Sequence, residues 1–319
     1  MIKLNANFRS PSFLMGFLLF GLAPLMVLGC SPNNAHYKSG EGPDITRWAL
    51  PDADIVSVLS EEPNECLSDT PNDQEIMGRL AFRSPFLLGG QAARRGLTCQ
   101  ACHGQGQVNS HFFVIGLSET PGTADVTSFH FSDELGDESF NPVPIPSLAD
   151  DIEGVDFDPN LPDLDKFVMR LITKEFTGPE PSPEVQGALL AYLRGLTAQP
   201  CSSPTLKETE LLAYKRRIID QSFHTLLTST LSKNTFDFMT AALRIELGRL
   251  HIRFPNHPEL QEELISLSQS LRSVGSETHS FENAYSAWVD LAPQLEPAYE
   301  GSLFHPDTIR AWEAARRDY

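Results

Sequence analysis

Cys99-Gln100-Ala101-Cys102-His103 places two thiols three residues apart and an imidazole directly after the second. That spacing is the pattern of covalent haem attachment: each thiol adds to one of two vinyl groups on the porphyrin edge, and the adjacent imidazole is held beneath the iron as proximal ligand. Cys99, Cys102 and His103 are therefore the expected cofactor-binding residues, for one covalent haem c. A Cys-x-x-Cys pair alone suits two other chemistries, a redox dithiol of the thioredoxin type or half of a zinc site. The zinc alternative lacks a second Cys/His pair at ligand spacing, and the dithiol lacks a flanking βαβ pattern.

The compartment implied by the N-terminus agrees with that chemistry. Residues 1–29 open with Lys3 and Arg9, continue in an apolar run from Phe13 to Leu28, and close on Val27-Leu28-Gly29-Cys30. These are the three parts of a secretory signal. The close resembles a bacterial lipobox, in which the cysteine becomes the first mature residue and carries lipid. An uncleaved anchor is the alternative, but it requires neither Gly29 nor Cys30. Either way the remainder is expected outside the cytoplasm, and in the lipobox reading it is held in the cell envelope to the inner or outer membrane through Cys30. Disulfides persist there. Of five cysteines, Cys30 goes to lipid and Cys99 with Cys102 to haem, leaving Cys66 and Cys201 to bracket the haem segment. A Cys66–Cys201 disulfide is expected if the segment is a cytochrome fold, whose first and last helices pack together; two free buried thiols are the alternative, which an oxidising compartment disfavours.

The net charge of −18 disfavours nucleic acid and anionic headgroups, so no nucleic-acid partner is expected. It favours a basic redox partner such as a positively faced cytochrome, although solubility alone is the stronger account of it.

The motif depends on helices predicted on both sides of it. Residues 30–44 are polar and suit a tether after the 1–29 signal. A haem domain is expected over 45–201. Within it, Asp73–Phe82 has acidic residues in its first turn and apolar Ile76, Leu80 and Phe82, which predicts a short amphipathic helix. Gln91–Arg95 predicts a second, leading into the cysteine pair. The dense Gly, Pro, Asn and Asp between Gly116 and Pro162 predict long loops. Helical spacing returns over Leu164–Thr173 and Pro183–Leu196. Residues 202–319 carry no cofactor motif. Five helices are predicted there, over Leu206–Leu231, Phe236–Phe254, Glu259–Val274, Phe281–Leu295 and Pro306–Arg317, forming an extension packed on the haem domain or on a partner. Glu246, Arg249, His251 and Arg253 cluster on one of these helices, and a solvated or salt-bridged face accounts for them best.

A family resemblance rests on further residues. Gly78-Arg79-Leu80-Ala81-Phe82 resembles the lead-in to haem domains of the bacterial cytochrome c peroxidase and methylamine-utilisation haem protein superfamily. Gly122-Thr123-Ala124-Asp125-Val126-Thr127 and Phe140-Asn141-Pro142-Val143-Pro144-Ile145-Pro146 take the place where those proteins pass a loop near the haem. Glu175-Phe176-Thr177-Gly178-Pro179 precedes Ala191-Tyr192-Leu193-Arg194-Gly195-Leu196, which is similar to the closing helix of cytochrome c domains. The resemblance covers roughly residues 73–200. It implies a mainly α, cytochrome c-like haem domain with long loops, followed by the helical extension, and electron transfer as the activity. The peroxidase group carries two Cys-x-x-Cys-His motifs where this chain has one, which disfavours a two-haem peroxidase acting alone.

Methionine is the common sixth ligand in electron-carrying cytochromes. Met169, on a predicted helix about sixty-six residues after His103, is the leading candidate, with core packing as its ordinary role and His130, His111, His251 or an open site as alternatives. A lipid-anchored mono-haem electron carrier is the leading functional expectation. A peroxide-reducing haem enzyme and a structural haem protein that binds an envelope partner follow it.

Overall fold

The periodic apolar segments fold as helices in the computed structural model, which describes residues 43–128, 131, 136–149, 163–197, 205–272 and 278–317. The class is mainly α. Asp54 caps α1 (Ile55–Ser60) by accepting from the Val56 amide. The chain then enters β1 (Glu61–Pro63), which pairs antiparallel with β4 (Thr205–Lys207), Glu61 opposite Lys207. Strands of three residues are too short to show alternation, so neither was visible in the sequence. Next comes α2 (Asp73–Phe82), opened by a capping box in which Asn72 accepts from the Glu75 amide and Glu75 accepts in return. Two short helices follow, α3 (Gly90–Arg94) and α4 (Cys99–Cys102).

The loop-rich stretch contains one small antiparallel pair, β2 (Thr123–Ala124) with β3 (Val143–Pro144). After it, α5 (Leu164–Arg170) runs into a π-helical turn over Leu171–Glu175, and α6 (Pro183–Thr197) follows. The remainder is α7 (Glu208–Thr228), α8 (Lys233–Ile252), α9 (Pro258–Arg272), α10 (Thr278–Leu291) and α11 (Pro306–Arg317). No described helix is long and apolar enough to cross a membrane. The apolar run 13–28, Cys30, His130 and Cys201 lie outside the described residues.

Among the described residues two large apolar cores organise these elements, with a third small cluster joining Leu59 of α1 to Leu303 and to Ile309 of α11. The larger takes Met77 and Leu80 from α2, Leu189 and Leu193 from α6, Ile218 and Phe223 from α7, and continues through α8, α9 and α10 to Trp288. It therefore takes side chains from both the span expected as a haem domain and the C-terminal span, and the C-terminal helices pack on the segment before them. The smaller core, around Trp48, Leu97, Ala101, Phe112 and Ile145, sits beneath the loops.

Helices α2 and α6 make the closest approach. A Cβ at Gly78 would land on the Ala188 carbonyl and against Tyr192, so only glycine admits this crossing. Gly187, on α6, faces open space. Gly78→Ala is therefore expected to lower the unfolding free energy by about 2 kcal/mol. Gly187→Ala is expected to raise it by up to about 1 kcal/mol through helix propensity. Urea unfolding of the two variants checks the contrast, and equal effects would remove the steric account of Gly78.

Candidate functional site

A four-residue helix cannot satisfy its own carbonyls, so the turn carrying the two cysteines must be closed by groups outside it. Asn109 closes most of it. Its side-chain amide donates to Ala101 O at 2.8 Å and its backbone amide to Cys102 O at 2.9 Å. His103 N donates to Cys99 O at 2.9 Å and Gly106 N to His103 O at 3.0 Å. Gly106 sits at φ 80° against the Leu196 side chain, where a Cβ has no room. Sequence reasoning missed Asn109, because an asparagine in a polar loop has many ordinary roles.

The two thiols are unpaired and partly buried. Cys99 packs against the larger core and Cys102 against the smaller, so the motif spans the seam between them. Burial pushes the Cys99 thiol up to about 12 and the Cys102 thiol higher still, so both are protonated at neutral pH. A redox dithiol requires the opposite, a thiol lowered toward neutrality. Among the described residues, no three His, Cys, Asp or Glu side chains converge as a metal group.

His103 is oriented by the loop that follows. Its Nδ1 lies 3.0 Å from the Pro146 carbonyl oxygen. A carbonyl only accepts, so Nδ1 carries the proton. Burial lowers the imidazole to about 4, against the opposing pull of the Pro146 carbonyl, and the ring is neutral. The neutral ring with Nδ1 protonated leaves the Nε2 lone pair available, which is the state of a metal-ligating histidine whose second nitrogen is held by a backbone carbonyl.

The other expected site residues stand on separate elements. Met169 is on α5, partly buried against the same larger core as Cys99, with Thr173 Oγ1 donating to its carbonyl at 2.8 Å. Cys66 is buried and receives Gln107 Nε2 at 3.4 Å; its expected partner Cys201 lies outside the described residues. His111 is partly buried just beyond the motif, and His251 on α8 is lowered by burial. No family model, curated protein or solved structure matches this chain. Geometry and chemistry carry the functional argument.

Behind the motif turn lies a buried polar network that local spacing did not reveal. Gln105, two residues after His103, is wholly buried at φ 54°. Its Nε2 donates to Glu62 at 2.6 Å, while its Oε1 accepts from Tyr214 OH at 2.7 Å and Arg83 Nη1 at 3.2 Å. Arg83 continues to Glu246 at 2.9 Å, and Glu246 also accepts from Arg249. Glu62 accepts from Lys215, and Arg253 donates to the carbonyls of Leu59 and Leu303 at 2.6 and 2.8 Å. Glu246, Arg249 and Arg253 are thus salt-bridged as expected, but Glu246 and Arg253 are buried rather than solvated.

Burial alone would raise the Glu246 carboxyl, but Arg83 and Arg249 outweigh it and hold it at about 2, below the ordinary 4.5. A carboxyl lowered in the folded state contributes stability in full above its unfolded value and loses it as pH falls through the folded one. Between pH 4.5 and 2 the protein is therefore expected to lose on the order of 3 kcal/mol through this group. Glu246→Gln is expected to be less stable at neutral pH, because it strands Arg83, and to show a shallower acid loss. Urea unfolding across that pH range checks both; a variant with an unchanged acid slope would exclude Glu246 as the source.

Proposed function

We propose that the chain holds one covalent haem c and transfers electrons at the cell envelope as a lipid-anchored protein. The observation that carries this reading is the His103–Pro146 hydrogen bond, which leaves Nε2 free beside two protonated, unpaired thiols. The donor set fits the group: Cys99 and Cys102 would hold it by thioether bonds, and His103 Nε2 would ligate the iron. When bound, the haem supplies a one-electron couple. The chain's own residues do the rest. Asn109 and Gly106 hold the turn in shape, burial keeps the imidazole neutral while the Pro146 carbonyl orients it, and the two cores pack against the cysteines from either side.

Met169 is the proposed sixth ligand, on the strength of its residue type and its place on the core that Cys99 also touches. In this reading Cys30 carries the lipid, Cys66 and Cys201 form a disulfide, and the acidic chain meets a basic redox partner such as another cytochrome. The cytochrome c-like character of the helical domain belongs to the same proposal.

The test is the optical and resonance Raman spectrum of the full chain produced in cells that attach haem covalently, compared with Met169→Ala and Cys102→Ala. Wild type is expected to retain haem after denaturation and to show six-coordinate low-spin iron with the weak near-infrared band of methionine ligation. Met169→Ala is expected to lose that band, and Cys102→Ala to weaken or abolish covalent retention. Haem released on denaturing the wild type would overturn the attachment. High-spin iron that binds added ligands in both wild type and Met169→Ala would replace electron transfer with peroxide chemistry.

A further inference from the structure

The buried charges behind the motif line a cavity of about 190 Å³. It is bounded by Gln100, Ala101 and Gly104 but not by Cys99, Cys102 or His103, so it lies on the other side of the turn from the proposed haem site. Along its wall Glu246 pairs with Arg83 and Arg249, and Glu62 pairs with Lys215 and lies near Arg253. Four cations thus meet two carboxylates, with Arg83, Arg253, Glu62 and Glu246 buried and Lys215 and Arg249 partly so, in a chain whose net charge is −18. Asp44 and Glu61, which also line the cavity, have side chains 34% and 37% exposed, and water screens them more than the inner charges.

The excess is visible in the bonding. Arg253 Nη2 lies 3.8 Å from Glu62 Oε1, and Arg249 Nε lies 3.7 Å from Asp44 Oδ2, both beyond hydrogen-bond reach. Arg83 Nε is buried without a partner. Burial, with Arg83 alongside, brings Lys215 down to about 8 despite its pairing with Glu62, and burial brings Arg253 down to about 10. A bound anion beside Lys215 and Arg253 would offset the burial that disfavours their charge.

We propose that this cavity binds a small organic anion, its carboxylate among Lys215, Arg249 and Arg253 and its carbon body against Trp48 and Phe304. The volume holds roughly six waters, or a carboxylate of a few carbons. The apolar walls, with Arg253 already stacked 4.9 Å over the Phe304 ring, select a carbon-bearing anion over an inorganic one. A ligand held there touches the turn that bears His103, and its binding would stiffen that turn.

Calorimetric titration of the full chain with succinate and with butyrate tests the site, with phosphate and sodium chloride at matched ionic strength as controls. Saturable binding of either carboxylate is expected, with a rise in melting temperature beyond that given by chloride. Lys215→Met and Arg249→Gln are each expected to weaken it roughly tenfold or more. The second variant serves should the first fail to fold by circular dichroism. The absence of saturable carboxylate binding would overturn the proposal. Equal binding of phosphate, or unchanged affinity in the folded variants, would overturn it as well.

Discussion

A buried glutamine in the left-handed region is the constraint around which the rest of the site is arranged. At φ 54°, Gln105 carries a conformational cost of about 1–2 kcal/mol that glycine would avoid. Glycine, however, would leave Glu62, Arg83 and Tyr214 each short of a partner in the interior. A side-chain amide donates to the carboxylate from its nitrogen and accepts from the guanidinium and the phenol at its oxygen, so one residue satisfies all three. Gln105 N is itself held by Gln100 Oε1 at 3.1 Å, so the turn beginning at Cys99 folds back on its own second residue. The backbone at His103 thereby inherits its rigidity from α2, α7 and β1, which are distant in the chain.

The division of labour between apolar and ionic contacts follows from their different physics. Burial of side chains from α2, α6 and the helices after residue 205 supplies non-directional stability, and many slightly rotated arrangements would bury nearly as much. A buried ion pair adds little net stability, because desolvation nearly cancels its attraction, but it penalises every arrangement that separates it. Arg83–Glu246, at 2.9 Å, therefore fixes where α8 sits against the motif segment, and Arg79–Glu65, at 3.1 Å, fixes α2 against the chain before it, all four side chains being buried. Arg79 also reaches Gln221 at 2.6 Å, and Tyr192 donates to Glu65 at 2.9 Å, so α2, α6 and α7 are pinned through one carboxylate and its partner.

What could be read in advance and what could not divides along the same line. The span Asp73–Phe82 was legible to the residue, because its capping acids, apolar spacing and flanking turn are all local. The helices from Pro183 onward were legible to within a few residues for the same reason. The close spacing of the cysteine pair and His103 is local too, and the structure keeps them on one turn. The Pro146 carbonyl was not, since a backbone acceptor 43 residues away has no residue-type signature. Glu246, Arg249 and Arg253 were seen as a cluster on one helix, but nothing in their spacing says that Arg83, 163 residues earlier than Glu246, is the partner that draws them inside.

The choice of a carbonyl as the acceptor for His103 has its own consequence. A carboxylate at that point would compete for the Nδ1 proton and push the ring toward imidazolate, making Nε2 a stronger donor to any metal it ligated. A carbonyl cannot take the proton, so the ring stays a neutral and weaker donor, which in the proposed haem site favours the reduced iron relative to a carboxylate-held ring. That tuning requires the carbonyl to stay in place. The fixed φ of Pro142, Pro144 and Pro146 keeps the segment extended without a helix to support it. Ile145 N donates to Gly122 O at 2.9 Å on one side of Pro146, and Leu148 N donates to Gly106 O at 2.7 Å on the other. Gly106 follows Gln105 directly. The residue that orients the imidazole is thus tied to the neighbour of the residue that anchors the turn, and the acceptor and the ring are held by one hydrogen-bonded circuit rather than by two independent supports.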